Sequence, residues 1–138
     1  MGTSSKDQHL ESLLTSSKNI AVVGLSPKLQ RPSNQVARYL IENGYTVIPV
    51  NPGQKKILGL NCYSDLNSIP TAIDIVDIFR KSEDVEPVID QAINANAKAV
   101  WMQLDIRHEK AAQKAAQAGL EVVVDRCIKI EHARLFNR

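Results

Sequence analysis

The 138-residue sequence is short of most residues that mark the commoner kinds of site. It has two cysteines, Cys62 and Cys127, and their separation gives neither a C-x-x-C pair nor a metal-ligand spacing. Free thiols of that kind fit a reduced, cytoplasmic protein. The three histidines, His9, His108 and His132, have no acid and nucleophile arranged beside them, so no catalytic residue and no metal ligand is assigned and all three are expected on the surface. No apolar run approaches the ~20 residues that cross a bilayer. The polar N-terminal segment has no apolar centre of the kind a secretory leader carries. A net charge of +2 is too small to argue for nucleic acid. The expectation is therefore a protein without nucleic-acid or membrane partners.

What is present is a rhythm. Aliphatic segments recur at 20–23, 46–50, 73–79, 99–102 and 121–124, rich in Val and Ile and with little polar alternation, as strands covered on both faces require. Helical patterns separate them. A short helix near 7–14 comes first. Ser33 is the natural N-cap of a helix over 34–43 that Gly44 ends. Ser82 opens a second helix, 108–118 is an alanine-rich third, and 128–136 reads as a last helix on the sheet. Repeated β-α-β units with short connections predict an α/β fold, a doubly wound parallel sheet of about five strands with helices on both faces. The organisation expected is an N-terminal segment, 1–18, followed by one domain, 19–138. Residues 51–69 are too long for a simple loop, and Ile57 and Leu58 are candidates for a short extra strand there.

Open sheets of this kind take ligands beyond the carboxyl ends of their strands. The first such end reads GLSPKLQRPS, residues 24–33. A dinucleotide fingerprint needs glycine at 26 and 29, where the chain has Ser26 and Leu29, and no G-K-[ST] follows to make a P-loop. What remains is Gly24 for a tight turn, a hydroxyl, two cations (Lys28 and Arg31), and Pro32-Ser33 opening a helix whose free N–H groups suit a phosphate. The simpler reading is that Pro32-Ser33 only starts a helix. Charge is concentrated near this point. Residues 20–56 hold Lys28, Arg31, Arg38, Lys55 and Lys56 against Glu42 alone, a local +4 that leaves −2 for the rest.

The second strand end discriminates between cofactors. NAD sites place an acid about 20 residues beyond the glycine turn to hold the ribose hydroxyls. Here Asn51-Pro52-Gly53-Gln54-Lys55-Lys56 has none. A lysine pair suits a phosphorylated ribose, which admits NADP, with a 2′-phosphate, or coenzyme A, with a 3′-phosphate. Inside the third strand candidate, Asp77 is expected to tie down N–H groups of a neighbouring loop, with a catalytic acid the lesser alternative. Trp101 reads as core. Cys127, beside Arg126, is a candidate for a mixed disulfide with coenzyme A, set against a plain buried thiol.

Five stretches in fixed order then carry a resemblance: G-L-S-P-K...R-P-S at 24–33, Y-L...G-Y-T-V-I-P-V-N-P at 39–52, I-D-I-V-D-I-F-R at 73–80, A-K-A-V-W-M-Q-L at 97–104 and A-G-L-E-V-V-V-D-R-C at 118–127. Over about residues 19–136 the chain resembles the small stand-alone CoA-binding proteins, related to the N-terminal CoA-binding domain of the succinyl-CoA synthetase α subunit. The resemblance implies a Rossmann-like fold with coenzyme A, or an acyl-CoA, held non-covalently over the strand ends. It implies that Gly24, Ser26, Pro27, Lys28, Arg31, Pro32 and Ser33 line the pyrophosphate. Asn51, Pro52 and Lys55 would flank the adenosine and its 3′-phosphate, Phe79 and Arg80 the adenine or pantetheine side, and Gln103 the pantetheine path. Two positions depart from the family, which usually has glycine at Asn96 and Asp105. Asn tolerates a left-handed backbone, whereas a carboxylate at 105 is expected to weaken an anionic ligand or redirect the loop. A small NADP-dependent oxidoreductase is the alternative, and a ligand-regulated interaction module a third reading.

Overall fold

The computed structural model describes residues 5–137. Five short strands form one all-parallel sheet: β1 (Asn19–Val23), β2 (Thr46–Val50), β5 (Ile75–Ile78), β6 (Ala99–Met102) and β7 (Glu121–Val123), in the spatial order β2-β1-β5-β6-β7. Two further strands, β3 (Lys56–Ile57) and β4 (Leu60–Asn61), make a separate antiparallel hairpin. Its two turn residues, Leu58 and Gly59, both have positive φ, the requirement of a primed two-residue turn. So the extra strand expected at 57–58 is a hairpin whose turn begins at Leu58. The third sheet strand is also shorter than its apolar run, because Ile73 and Phe79 lie outside the ladder.

Alternate residues of the strands feed two cores. On one face Ile20, Val22, Ile75 and Trp101 pack with α1 (Ser5–Ser16), α2 (Pro32–Glu42) and α5 (Ile128–Phe136) through Leu14, Leu40 and Ile128. On the other, Val23, Val76, Ile78 and Met102 pack with α3 (Val85–Asn94) and α4 (Glu109–Gln117) through Ile89, Ala111 and Ala115. The alanine-rich sequence of α4 lets that helix sit close to the sheet. Trp101 is fully buried and gives its indole N–H to the Arg126 carbonyl at 2.8 Å. Burying such a side chain contributes about 2–3 kcal/mol.

The helix ends depart from expectation in two places. The N-cap of α2 is Arg31, with Pro32 at the first helical position, and Ser33 already lies inside the helix. Two of the histidines are not simply solvated. His108 caps α4 by accepting from the Ala111 N–H, and His132 is buried among Tyr39, Tyr45 and Phe136. The apolar stripe of α5 carries His132 into the core, where burial lowers its pKa.

The chain leaves β1 towards its neighbour β2 by way of α2, and leaves β5 towards β6 by way of α3 on the opposite face. The loops after β1 and β5 therefore part, and a crevice opens between them at the carboxyl edge of the sheet.

Candidate functional site

Gly24 sits at the mouth of that crevice. Its φ is +85°, and a Cβ there would lie 2.2 Å from the Phe79 carbonyl oxygen, so no other residue lets the β1 end pass the β5 end this closely. Backbone bonds lock the junction: the Gly24 N–H donates to the Val50 carbonyl at 2.9 Å and the Phe79 N–H to the Val23 carbonyl at 2.8 Å.

Beyond Gly24 the loop is held by side chains of α2. Leu25 is fully buried and anchors it. The Ser26 N–H donates to the Ser33 hydroxyl at 3.0 Å, and the Ser26 carbonyl accepts from the Asn34 amide at 2.9 Å. Ser26 Oγ takes the Lys28 N–H at 3.1 Å, and the Lys28 carbonyl takes the Arg31 N–H at 3.1 Å. Arg38, one turn along α2, donates to Asn34 Oδ1 and to the Leu29 carbonyl, at 2.9 and 2.7 Å. Ser33 is thus a brace across the loop and not a cap. Asn34 and Arg38 are the two residues of this network that sequence reasoning did not pick out as functional. An asparagine and an arginine four apart at the start of a helix after a phosphate-type loop would have been the signal.

No side chain caps the first turn of α2; Pro32 has no N–H and those of Asn34 and Gln35 donate to the Arg31 carbonyl at 3.1 Å, which leaves the Ser33 N–H and the partial positive charge of the helix start towards the loop. Gly24, Ser26, Lys28, Arg31, Pro32, Ser33 and Phe79 together line one open cleft of about 340 Å³. Pro27 is exposed at the bend beside it. The residues after β2 come to the same edge. Asn51 Nδ2 donates to the Leu25 carbonyl at 2.9 Å while its Oδ1 accepts the Gly53 N–H at 2.8 Å, which joins the two strand-end loops. Pro52 and Lys55 are exposed there, and Arg80 is half-buried beyond Phe79. None of Lys28, Arg31, Lys55 and Arg80 pairs with an acid among the described residues. A larger cavity, about 460 Å³, lies elsewhere, between α1 and β7. Its lining is mostly apolar; the helix start of α2 and cations unpaired among the described residues meet at the smaller cleft.

Two of the expected site residues are buried, Ser33 as the brace of the loop and Gln103 beneath the sheet edge. Gln103 is 4% exposed and its amide N–H is given to Asp77 Oδ1. Asp77, in β5, is fully buried, its Oδ2 has no hydrogen-bond partner among the described residues, and burial raises its pKa to about 8, against a smaller lowering by the Gln103 hydrogen bond. The expectation that Asp77 holds loop N–H groups is corrected: Asp74 does so, at the other end of the strand. Its carboxylate accepts from the N–H groups of Lys18 and Asn19, at 2.8 and 2.9 Å. Burial pushes Asp74 upward, but those N–H groups, with Lys98 nearby, leave its pKa below the usual value. Asn96 and Asp105 both have positive φ, 56° and 67°, as positions usually occupied by glycine should. The Asp105 N–H donates to Asp125 Oδ1 at 2.7 Å.

Residues 18–133 match the CoA binding domain family. The chain is 39% identical to the uncharacterized protein YneT of Bacillus subtilis over 124 residues, 90% of this chain and 92% of that one. It is 31% identical over 83 residues, 59% of this chain, to an ADP-forming acetate–CoA ligase II of Archaeoglobus fulgidus, of which the matched part is 12%. Among solved structures, a hypothetical protein from Pyrococcus horikoshii superposes with a TM-score of 0.92 at 43% identity, covering 94% of this chain and 91% of that one. A dinucleotide-forming acetyl-coenzyme A synthetase 1 of Candidatus Korarchaeum cryptofilum superposes with a TM-score of 0.70 at 29% identity, over 82% of this chain and 27% of the synthetase. None of these matches carries the oxidoreductase alternative. The parallel five-stranded sheet is the Rossmann-like fold of these relatives, and the chain belongs to the CoA binding domain family.

Proposed function

We propose that the protein binds coenzyme A, or an acyl-CoA, reversibly and non-covalently at the carboxyl edge of β1, β2 and β5. The observation that carries the reading is the Gly24–Ser33 cleft: a backbone passage open only to glycine, an uncapped helix start, and Lys28 and Arg31 without acid partners. Such a donor set suits a pyrophosphate, since the loop backbone that carries these residues is held before the ligand arrives. Lys55, on the loop tied to the cleft through Asn51, is suited to the 3′-phosphate on the adenosine ribose. Phe79 and Arg80 border the crevice on the adenine or pantetheine side. Gln103, held by Asp77, lies beneath the pantetheine path. Coenzyme A would supply a thiol carrier, and the named residues only bind and orient it.

The test is a thermal melt of the purified protein with coenzyme A, dephospho-coenzyme A, NAD and NADP. A ligand at about 100 times its dissociation constant adds roughly 2.7 kcal/mol, several degrees for a domain of this size. The largest shift is expected with coenzyme A, a smaller one with the dephospho form and none with the dinucleotides. In Lys55→Ala the difference between the two coenzyme forms should shrink. A shift with NADP alone overturns the reading.

A further inference from the structure

We propose that the outer edge of β7 joins two copies of this chain, antiparallel about Val123. The two edges of the sheet are treated differently. The β2 edge is closed: Pro49 lacks an N–H, and Tyr63 runs alongside, exchanging bonds with the Pro49 carbonyl and the Asn51 N–H at 3.0 and 2.9 Å. Nothing among the described residues lies along β7. Its register pairs Glu121 with Ala99 and Val123 with Trp101, and the Glu121 N–H donates inward to the Lys98 carbonyl. The N–H and C=O groups of Val122, between them, must therefore point outward, as must those of Val124. Three consecutive valines, Val122 to Val124, are only half-buried here, beside the cavity of about 460 Å³ whose other wall is α1.

Charge selects the occupant. Lys6 lies at the end of the groove that also holds Val124 and Arg126, and Glu121 at the other end. Neither Lys6 nor Glu121 has an ion-pair partner among the described residues. A two-fold axis through Val123 sets Val122 against Val124 of the second copy, where their outward backbone groups pair. The same axis sets each Glu121 against Asp125 of the other chain, a carboxylate already paired with Arg107, and towards the cations Lys6 and Arg126 at that end. One surface complements itself, as a two-fold contact requires. The cleft at 24–33 lies across the sheet and stays open, so this contact and coenzyme A binding stand or fall separately.

Sedimentation equilibrium over a range of concentrations tests it. The mass is expected to rise from 15.3 kDa to twice that value as concentration increases. Glu121→Lys should weaken association at least about tenfold, by setting two cations against each other, and adding Lys6→Glu to it should restore association. Val122→Pro, which removes an outward N–H and no bond of the sheet, should abolish it. A mass of 15.3 kDa at every concentration overturns the proposal, as does a dimer that Glu121→Lys leaves unchanged.

Discussion

The carboxyl edge of the sheet has two halves with the same kinds of charged residue and opposite electrostatics. Beyond β6 and β7 the arginines are paired: Arg107 with Asp125, Arg126 with Glu131 at 2.8 Å, and Arg134 with Asp7 and Glu131 at 2.7 and 3.0 Å. Asp125 is held below the usual carboxylate range, first by the Asp105 N–H and then by the Arg107 guanidinium. Beyond β1, β2 and β5 the cations Lys28, Arg31, Lys55 and Arg80 have no acid partners among the described residues, and the backbone is tied by neutral groups, Ser26, Ser33, Asn34 and Asn51. Exposed ion pairs contribute little to stability. Their effect here is to weaken the field over one half and leave it over the other, which is the distribution the proposed binding of a polyanion at the Gly24–Ser33 cleft requires.

The largest break in that contrast should come from Gly24→Ala. The new methyl group would meet the Phe79 carbonyl, and the backbone would keep a left-handed φ that L-residues adopt at a cost of about 1–2 kcal/mol. Together these should destabilise the fold by about 3 kcal/mol and remove coenzyme binding. Gly119→Ala separates the two causes. Gly119 has φ +92° but nothing within 4 Å of the added Cβ, so it should lose only the backbone part and bind as before. Urea denaturation of both variants, with a binding titration of each, reads the difference. Equal losses would mean that the crevice is wider than the contact implies.

Next in size is the charge itself. Lys28→Ala with Arg31→Ala should weaken coenzyme A by about a hundredfold, since hydrogen bonds to charged groups contribute roughly 1.5–3 kcal/mol each when desolvated and less on an open cleft. Arg107→Ala, in the half with paired arginines, should change affinity less than about twofold. Calorimetric titration at low and moderate salt makes the comparison. If Arg107→Ala matched the double variant, the ligand would span both halves and the cleft would be only part of its site.

How much of this was legible follows from what kind of information each feature needs. The strands and helices are written in local periodicity, and the strand-end rule led from them to the cleft, because Gly24, Lys28, Arg31 and Ser33 are neighbours in sequence as well as in space. Arg38 was legible only as charge. Its role depends on α2 folding back over Leu29, which no local pattern states. Asp74 and Asp77 show the limit most clearly. They are three residues apart in one apolar run, yet the first meets N–H groups from the chain start and the second meets only Gln103 and apolar neighbours. Which strand lies beside which, and where each ends, decides that, and neither can be read from composition. His132 was misplaced for a related reason: a helix shows its apolar stripe in sequence, but the aromatic pocket that receives the histidine comes from Tyr39 and Tyr45, far earlier in the chain.

Asp77 gives the most specific prediction, because it stands between the two halves, fully buried and without a cation among the described residues. Its folded pKa is about 8, raised by burial from 3.8. The folded protein therefore keeps a proton on Asp77 at pH values where the unfolded chain has lost it. Between about pH 4 and pH 8 this group makes stability fall as pH rises, by up to about 1.4 kcal/mol per unit, and above pH 8 its contribution levels off. An acid paired with an arginine would do the reverse, gaining stability over the acid range. Asp77→Asn retains an oxygen for the Gln103 amide and has no proton to lose. Its denaturation midpoint should exceed that of the parent increasingly from pH 6 to pH 8, while the two converge near pH 4. Parallel midpoints across that range would mean that Asp77 is ionised in the fold, and its charge would then add to the field over the cleft, opposing the ligand that Lys28 and Arg31 attract.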